Sequence, residues 1–301
     1  MHPTVGFIGL GEVGSSYARA LAAEGLPLAN IRALYLAAHT GADPGRAARR
    51  AEAAGIAYYE DPKAFAAGLD LVVSAVSPRG AVQAAAAIAG QLAGPQLFLD
   101  VNSVGPKTKD AIAALLAQRG VLTADGAIMG APASSGRITV TLSGPCATEV
   151  AAMLTPYGAR IDVVGERVGM AATLKMSRSV VMKGLAMLLI EALWAARRAG
   201  VEQEVMLGLD ESIHGRDFPS LVQRLVCGSL QHAARRVGEM EEVEAFLGEL
   251  DVPADMTRAT RERLGYLASR DPAWRVTPFE QVEEALDALI ATGAKGARHG
   301  A

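Results

Sequence analysis

The chain has 301 residues, half of them apolar, and its 29 basic and 32 acidic side chains leave a net charge of −3. That length allows two domains with a sizeable core and excludes a disordered chain, while near-balanced charge without a long single-sign block argues against a nucleic-acid partner. The two cysteines, Cys146 and Cys227, stand far apart without metal-type spacing, so neither a disulfide framework nor a metal site is indicated and a reducing cytoplasm fits.

The N-terminus enters a strand-like run at once, with no basic region ahead of a long apolar stretch, and no export signal is expected. Up to about residue 165, seven short apolar runs alternate with Ala-rich helical stretches: TVGFIGL, IRALYLA, LDLVVSAV, QLFLDVN, LTADGAIM, ITVTLSG and RIDVVG. Strands separated by helices indicate βαβ units and a mainly parallel sheet covered on both faces.

The first run leads into Gly9, Gly11 and Gly14, a G-x-G-x-x-G pattern that opens a helix expected from about Val13 to Ala23. In that context Gly9 allows the tight turn, Gly11 lets a pyrophosphate approach the backbone, and Gly14 lets helix and strand pack closely. The diphosphate of a dinucleotide would meet the positive end of the helix. The second strand ends without the acidic residue that would bond the ribose 2′-hydroxyl of NAD; His39 and Thr40 stand there, with Arg46, Arg49 and Arg50 following. These residues suit a 2′-phosphate, which favours NADP, and the arginines read equally well as a solvated helix face.

Beyond Gly165 the pattern becomes helical from Val168 to Ala291, with breaks expected near GLDES, RDFPSL, DVPADM and RDPAWRVTP. The most apolar stretch, about 174 to 198, is interrupted by Lys183 and Glu191 and reads as a helix buried in protein rather than a membrane span. The expected fold is therefore α/β, a Rossmann-type doubly wound sheet at 1–165 followed by an all-helical domain at 166–301.

Four motifs, in order, resemble the β-hydroxyacid dehydrogenase superfamily, which includes 6-phosphogluconate and 3-hydroxyisobutyrate dehydrogenases. GFIGLGEVGSSYARAL looks like its cofactor loop, LDVNSVGPKT like its D-x-S-T-I-x-P stretch, DGAIMGAPASSGRITVTLSG like its substrate segment, and VGMAATLKMSRSV like its G-x-x-x-K-x-x-N-N segment. The resemblance is clear over residues 5 to 185 and thin beyond, where it suggests a short helical C-terminal domain of the 6-phosphogluconate dehydrogenase type.

The resemblance implies a cofactor site of Gly9, Leu10, Gly11, Glu12, Val13 and Gly14, with His39, Thr40, Ser77 and Asn102, and a substrate side of Ser103, Gly130, Ser134, Arg178 and Ser179. It also implies that Lys175 is the catalytic acid/base. The substrate segment fits two registers. Taking Asp125 as its first residue preserves the spacing to Gly144 and puts Met129-Gly130 where the family has Ser-Gly, whereas Ala131 to Gly136 matches the wording. The family's asparagine four residues after the lysine is Ser179 here, and Arg178 stands where other branches have Asn or His.

Oxidation of a secondary alcohol by NAD(P)+ needs a base for the hydroxyl proton, and the reverse needs an acid. A lysine with its pKa lowered by burial and neighbouring cations serves both. On a helix, Arg178, Ser179, Met182 and Lys183 lie within roughly 80° of Lys175, a face suited to a small anionic hydroxy or keto acid. The two cations would otherwise pair with acids such as Glu191 or Glu166.

Among the other candidates, His214 reads as surface or structural, Trp194, Met176, Met182 and Met187 as core, and Tyr17 as helix packing. An imine reductase and a cofactor-binding sensor without turnover are the competing readings. Imine reductases resemble this family and usually replace the lysine, so Lys175 weighs against the first. The apolar central helix exceeds what a small domain needs, so a homodimer through the helical domains is expected.

Overall fold

Short runs such as Val-Gly-Phe-Ile and Leu-Val-Val-Ser are apolar enough to be buried on both faces, and the structure, a computed structural model, makes each of them a central strand. It describes residues 2–36, 44–129, 138–215, 217–270, 274 and 278–296. The chain divides into two compact units, Met1–Val180 and Val181–Ala301.

The first unit holds strands β1 (Val5–Ile8), β2 (Ile31–Leu34), β3 (Ala57–Tyr59), β4 (Leu71–Ser74), β5 (Leu97–Asp100), β6 (Leu122–Ile128), β7 (Thr139–Ser143) and β8 (Arg160–Val163). They form one sheet in the order β3-β2-β1-β4-β5-β6-β7-β8, and every neighbouring pair is parallel except β6 with β7. The order reverses between β1 and β4, the switch point at which open α/β sheets take ligands. Helices α1 (Glu12–Ala23), α2 (Pro44–Ala53), α3 (Pro62–Ala66), α4 (Ala81–Ala89), α5 (Pro106–Ala117) and α6 (Ala147–Leu154) accompany these strands.

Alternate strand residues supply two separate cores. Val5, Phe7, Leu71 and Val73 pack with Leu21 of α1 and Val150 of α6. Ile8, Val72 and Phe98 pack on the other face with Phe65 of α3, Ala84 of α4 and Ile112 of α5. Tyr17 belongs to the first of these cores, as expected, and burial raises its phenol pKa far above the ordinary range. Eight strands appear where seven runs were expected. The extra one, β3, is a three-residue strand at the sheet edge with half-exposed tyrosines.

A long helix, α7 (Met170–Ala199), begins in the first unit and runs into the second, followed by α8 (Glu202–His214), α9 (Phe218–Gln231), α10 (Ala233–Glu249), α11 (Asp255–Ala268) and α12 (Val282–Gly296). In the second unit α9, α10, α11 and α12 enclose a core that includes Cys227, Leu230, Leu264 and Trp274. A smaller cluster joins Ala195 of α7 to Leu247, Val252 and Ala254. Asp217 caps α9 by accepting from Ser220 N at 3.0 Å, with Pro219 in the first turn, and so realises the break expected at RDFPSL.

The break expected at GLDES does not occur, because α8 runs through Gly208 to His214; the chain breaks earlier, at Gly200, which takes a positive φ of 76°. The central helix also departs from expectation. Only 17% of its most apolar 18-residue window is buried. Val180 is 75% exposed, Met182 57% and Trp194 45%, so Met182, Met187 and Trp194 are surface residues of the single chain rather than core. By length and composition alone this helix is apolar enough to cross a membrane.

Candidate active site

The glycine loop joins the end of β1 to α1 at the switch point. Gly9 has φ +90°, and a Cβ there would stand 2.6 Å from the Ala75 carbonyl oxygen. A Cβ on Gly14 would stand 2.1 Å from the Gly9 oxygen. Both positions are therefore spent on closing the turn against the end of β4 and against the loop itself. Gly11 differs, since a Cβ there would meet nothing within 4 Å. It is the N-cap of α1, and among the described residues no side-chain hydrogen bond caps the helix, so the positive helix end is left for a ligand beside that space. This is a cradle for an anion, and it suits the pyrophosphate of a dinucleotide.

The other loop residues share this work unequally. Leu10 is buried in the core and contributes its carbonyl oxygen, which accepts from Arg50 Nη1 at 3.1 Å. One of the three arginines after β2 thus braces the glycine loop itself. Val13 packs against the core, and Glu12 is exposed in the first turn of α1. His39 and Thr40 lie outside the described residues, as does the Arg46 side chain.

Across the switch point, Ser77 is exposed at the start of a 3₁₀ turn, Pro78–Gly80. Asn102, just beyond β5, is buried: its Oδ1 accepts from Val76 N at 2.7 Å, and its Nδ2 donates to Ser74 Oγ at 2.9 Å. It therefore ties the ends of β4 and β5 together. Ser103 beside it is exposed.

A buried ionic cluster that sequence reasoning missed lies behind these residues. Asp100 and Asp125 are register partners on β5 and β6, and Lys109 of α5 reaches both, with its Nζ 3.3 Å from Asp100 Oδ1 and 3.1 Å from Asp125 Oδ1. The lysine also donates to the Asp100 carbonyl oxygen at 2.7 Å. All three side chains are shut off from solvent. Burial raises the Asp100 carboxyl above its ordinary pKa, against the opposing pull of Lys109 and of the Asn102 N–H at 2.8 Å. The signal in the sequence was an acid within each of two strand-like runs, at the end of LFLD and in the middle of LTADGAI.

The second oxygen of Asp125 accepts from Ala172 N at 2.8 Å, and Ser143 Oγ accepts from Ala171 N at 3.0 Å. The first turn of α7 is thereby fastened to β6 and β7. Lys175 follows one turn later and is half-buried, as is Ser179. Arg178 is exposed, with Nη1 3.3 Å from the sulfur of Met129 just past β6. Met129 is thus beside the lysine-bearing helix, whereas Gly130 and Ser134 lie outside the described residues.

The remaining candidates belong to the second unit. Glu191 accepts hydrogen bonds at the start of α11 instead of pairing with Lys183, which is exposed. His214 is exposed and pairs with Asp210 on its own helix at 2.6 Å. Among the described residues no group of His, Cys, Asp and Glu is placed to hold a metal ion.

Residues 4–165 match the family model described as the NAD binding domain of 6-phosphogluconate dehydrogenase, and residues 196–267 match a domain of unknown function, DUF1932. A conserved hypothetical protein from Sinorhizobium meliloti 1021 is 33% identical, with 90% of this chain and 91% of that one covered and a TM-score of 0.60. A conserved protein described as structurally similar to 3-hydroxyacid dehydrogenases is 32% identical over 87% of this chain and 96% of that one, with a TM-score of 0.58. The imine reductase from Myxococcus stipitatus, solved with NADP+, shares the fold at 18% identity, a TM-score of 0.72, and coverage of 95% of this chain and all of that one.

Proposed function

Because the chain belongs to the family of the NAD-binding domain of 6-phosphogluconate dehydrogenase, we propose that it is an NAD(P)-dependent oxidoreductase acting on the secondary alcohol of a small anionic hydroxy acid, or on the corresponding keto acid. The observation that carries this reading is the fastening of the Lys175 helix to the same sheet that bears the uncapped glycine loop.

In this reading the glycine loop, Gly9 to Gly14, holds the pyrophosphate on the first N–H groups of α1. The cradle takes either cofactor, and the arginine-bearing segment after His39 and Thr40 favours NADP. Ser77 and Asn102 line the cofactor cleft, and Ser103, Gly130 and Ser134 the substrate side. The bound nicotinamide supplies the hydride acceptor or donor. Lys175 Nζ takes the hydroxyl proton as the alcohol becomes a carbonyl, and returns it in the reverse direction. Arg178 receives the substrate's anionic group, in a fork suited to a carboxylate or phosphate, and Ser179 donates to the reacting oxygen.

We further propose a cytoplasmic homodimer joined through the helical domains. In the second unit, Leu185, Leu188, Val205, Leu209, Ile213 and Phe246 line an apolar groove of about 480 Å³, and a second copy that covers it removes the exposed apolar face from water.

Reduction of a C=N bond, as in the imine reductases that share the fold, is the second reading. Titration with NADPH and NADH, followed by a panel of hydroxy acids, keto acids and cyclic imines, separates the two. Cofactor binding with turnover of hydroxy or keto acids supports the proposal. Turnover of imines alone replaces it with the second reading, and binding of neither cofactor removes both.

A further inference from the structure

We infer that Asp125, backed by Lys109 and Ser143, is a positioning residue for Lys175; the inference rests on the proposed role of Lys175 as acid/base and adds the device that holds it in place.

Helix α7 starts at Met170, so the N–H groups of Ala171 and Ala172 are among those a helix cannot satisfy from within. Neither is left to solvent. Ser143 Oγ accepts from Ala171 at 3.0 Å and Asp125 Oδ2 from Ala172 at 2.8 Å, and these acceptors belong to residues paired across β6 and β7. The cap therefore comes from the sheet rather than from the helix's own approach segment. It fixes the axial position and rotation of α7 relative to the strands.

Asp125 is itself held. Its other oxygen lies 3.1 Å from Lys109 Nζ, which donates to the Asp100 carbonyl oxygen at 2.7 Å, and Asp100 Oδ1 accepts from Asn102 N at 2.8 Å. Buried ionic groups give little net stability, but removing one partner is strongly destabilising because the others remain desolvated. Such a cluster is a poor device for adding stability and a good one for allowing a single geometry. It runs without a gap from Asn102, on the cofactor side, to Ala172. Lys175 lies three residues further along a helix, about 4.5 Å in rise. A proton-transfer group must be held within hydrogen-bond reach of its substrate, and a shift of about 1 Å in such a group lowers turnover about a hundredfold.

The test is competitive acetylation of the lysine amines with acetic anhydride across about pH 6 to 10, read peptide by peptide by mass spectrometry. Exposed Lys63 serves as the internal reference. It compares the wild type with Asp125→Asn, and with Ser143→Ala in case the first variant does not fold. NADPH titration and circular dichroism accompany each variant. Asp125→Asn is expected to raise the acetylation of Lys175 relative to Lys63 about fivefold, the size of effect one lost anchoring hydrogen bond produces. Ser143→Ala shifts it in the same direction by less, and NADPH binding stays unchanged in both. With any hydroxy acid that turns over, kcat falls more than KM rises. Unchanged Lys175 reactivity in a folded variant overturns the inference, since a role limited to global stability leaves the native amine as it was. The labelling needs no substrate, so failure of the dehydrogenase reading would show separately, as wild-type protein that binds no cofactor or turns nothing over.

Discussion

Glu191 of α7 places its carboxylate on the first turn of α11, accepting from the Thr257 hydroxyl at 2.6 Å and from the backbone N–H groups of Thr257 and Met256 at 2.8 and 2.9 Å. Burial pushes this carboxyl's pKa up, and the three hydrogen bonds more than offset that, so it ends below its ordinary value. A carboxyl whose pKa is depressed by folding contributes stability above the unfolded value of about 4.3, and that stability is lost as the pH falls through the folded value. Glu191→Ala is expected to lower unfolding free energy by about 2 kcal/mol near neutral pH. Glu191→Gln should flatten the acid limb of the stability curve. Urea melts of the three proteins at neutral pH and near pH 4 check both; parallel pH curves for wild type and Glu191→Gln would show that the carboxylate's charge is not what caps α11.

Two glycines in one loop should fail differently. A methyl on Gly14 meets a backbone oxygen at 2.1 Å, so Gly14→Ala must move the loop and should lower the melting temperature as well as cofactor affinity. Gly11→Ala meets nothing within 4 Å, at a φ of −69° that alanine accepts. The Gly11 variant should fold as well as wild type and lose at least about tenfold in NADPH affinity, because the methyl occupies the space through which the pyrophosphate approaches. Wild-type affinity in Gly11→Ala would move the diphosphate away from this loop.

Much of the first unit is legible in the sequence because its strands are short and mostly apolar and are separated by helical stretches; β1, β4 and β5 need no tertiary information to be seen. The edge strand β3 escapes because Ala-Tyr-Tyr is half exposed and carries no alternation long enough to count. Gly208 looked like a break, but it sits on α8 with open space where a Cβ would be, and the helix continues through it. The ionic cluster is hidden for a different reason. Asp100, Lys109 and Asp125 are distant in sequence, and only the parallel register that sets Asp100 beside Asp125 brings them together. The position of Lys175 in a motif is readable; what orients it is not.

Lys175→Met tests the chemistry while keeping the cap on α7. The cap that Asp125 and Ser143 make on Ala172 and Ala171 keeps all its atoms in this variant, which should therefore fold and bind NADPH as the wild type does. Loss of a positioned acid/base group lowers turnover by about 10²- to 10⁴-fold. Single-turnover kinetics on the best hydroxy or keto acid of the panel measure it, and retention of turnover at the wild-type rate would assign the proton to another group.

The long helix poses the last question, because a run containing Val180, Val181, Met182, Leu185, Met187, Leu188, Ile190 and Trp194 is exposed on a single chain. Apolar patches of that extent rarely face water on a stable monomer. Two copies related by a two-fold axis would present the same exposed helix to each other, the commonest way a soluble protein covers such a surface. The homodimer should therefore persist at micromolar concentration in sedimentation velocity. Met182→Glu together with Ile190→Glu should yield a monomer, since each added carboxylate would be desolvated without a partner in the interface. A wild-type protein that sediments as a monomer throughout this range would rule out the second copy as what covers α7.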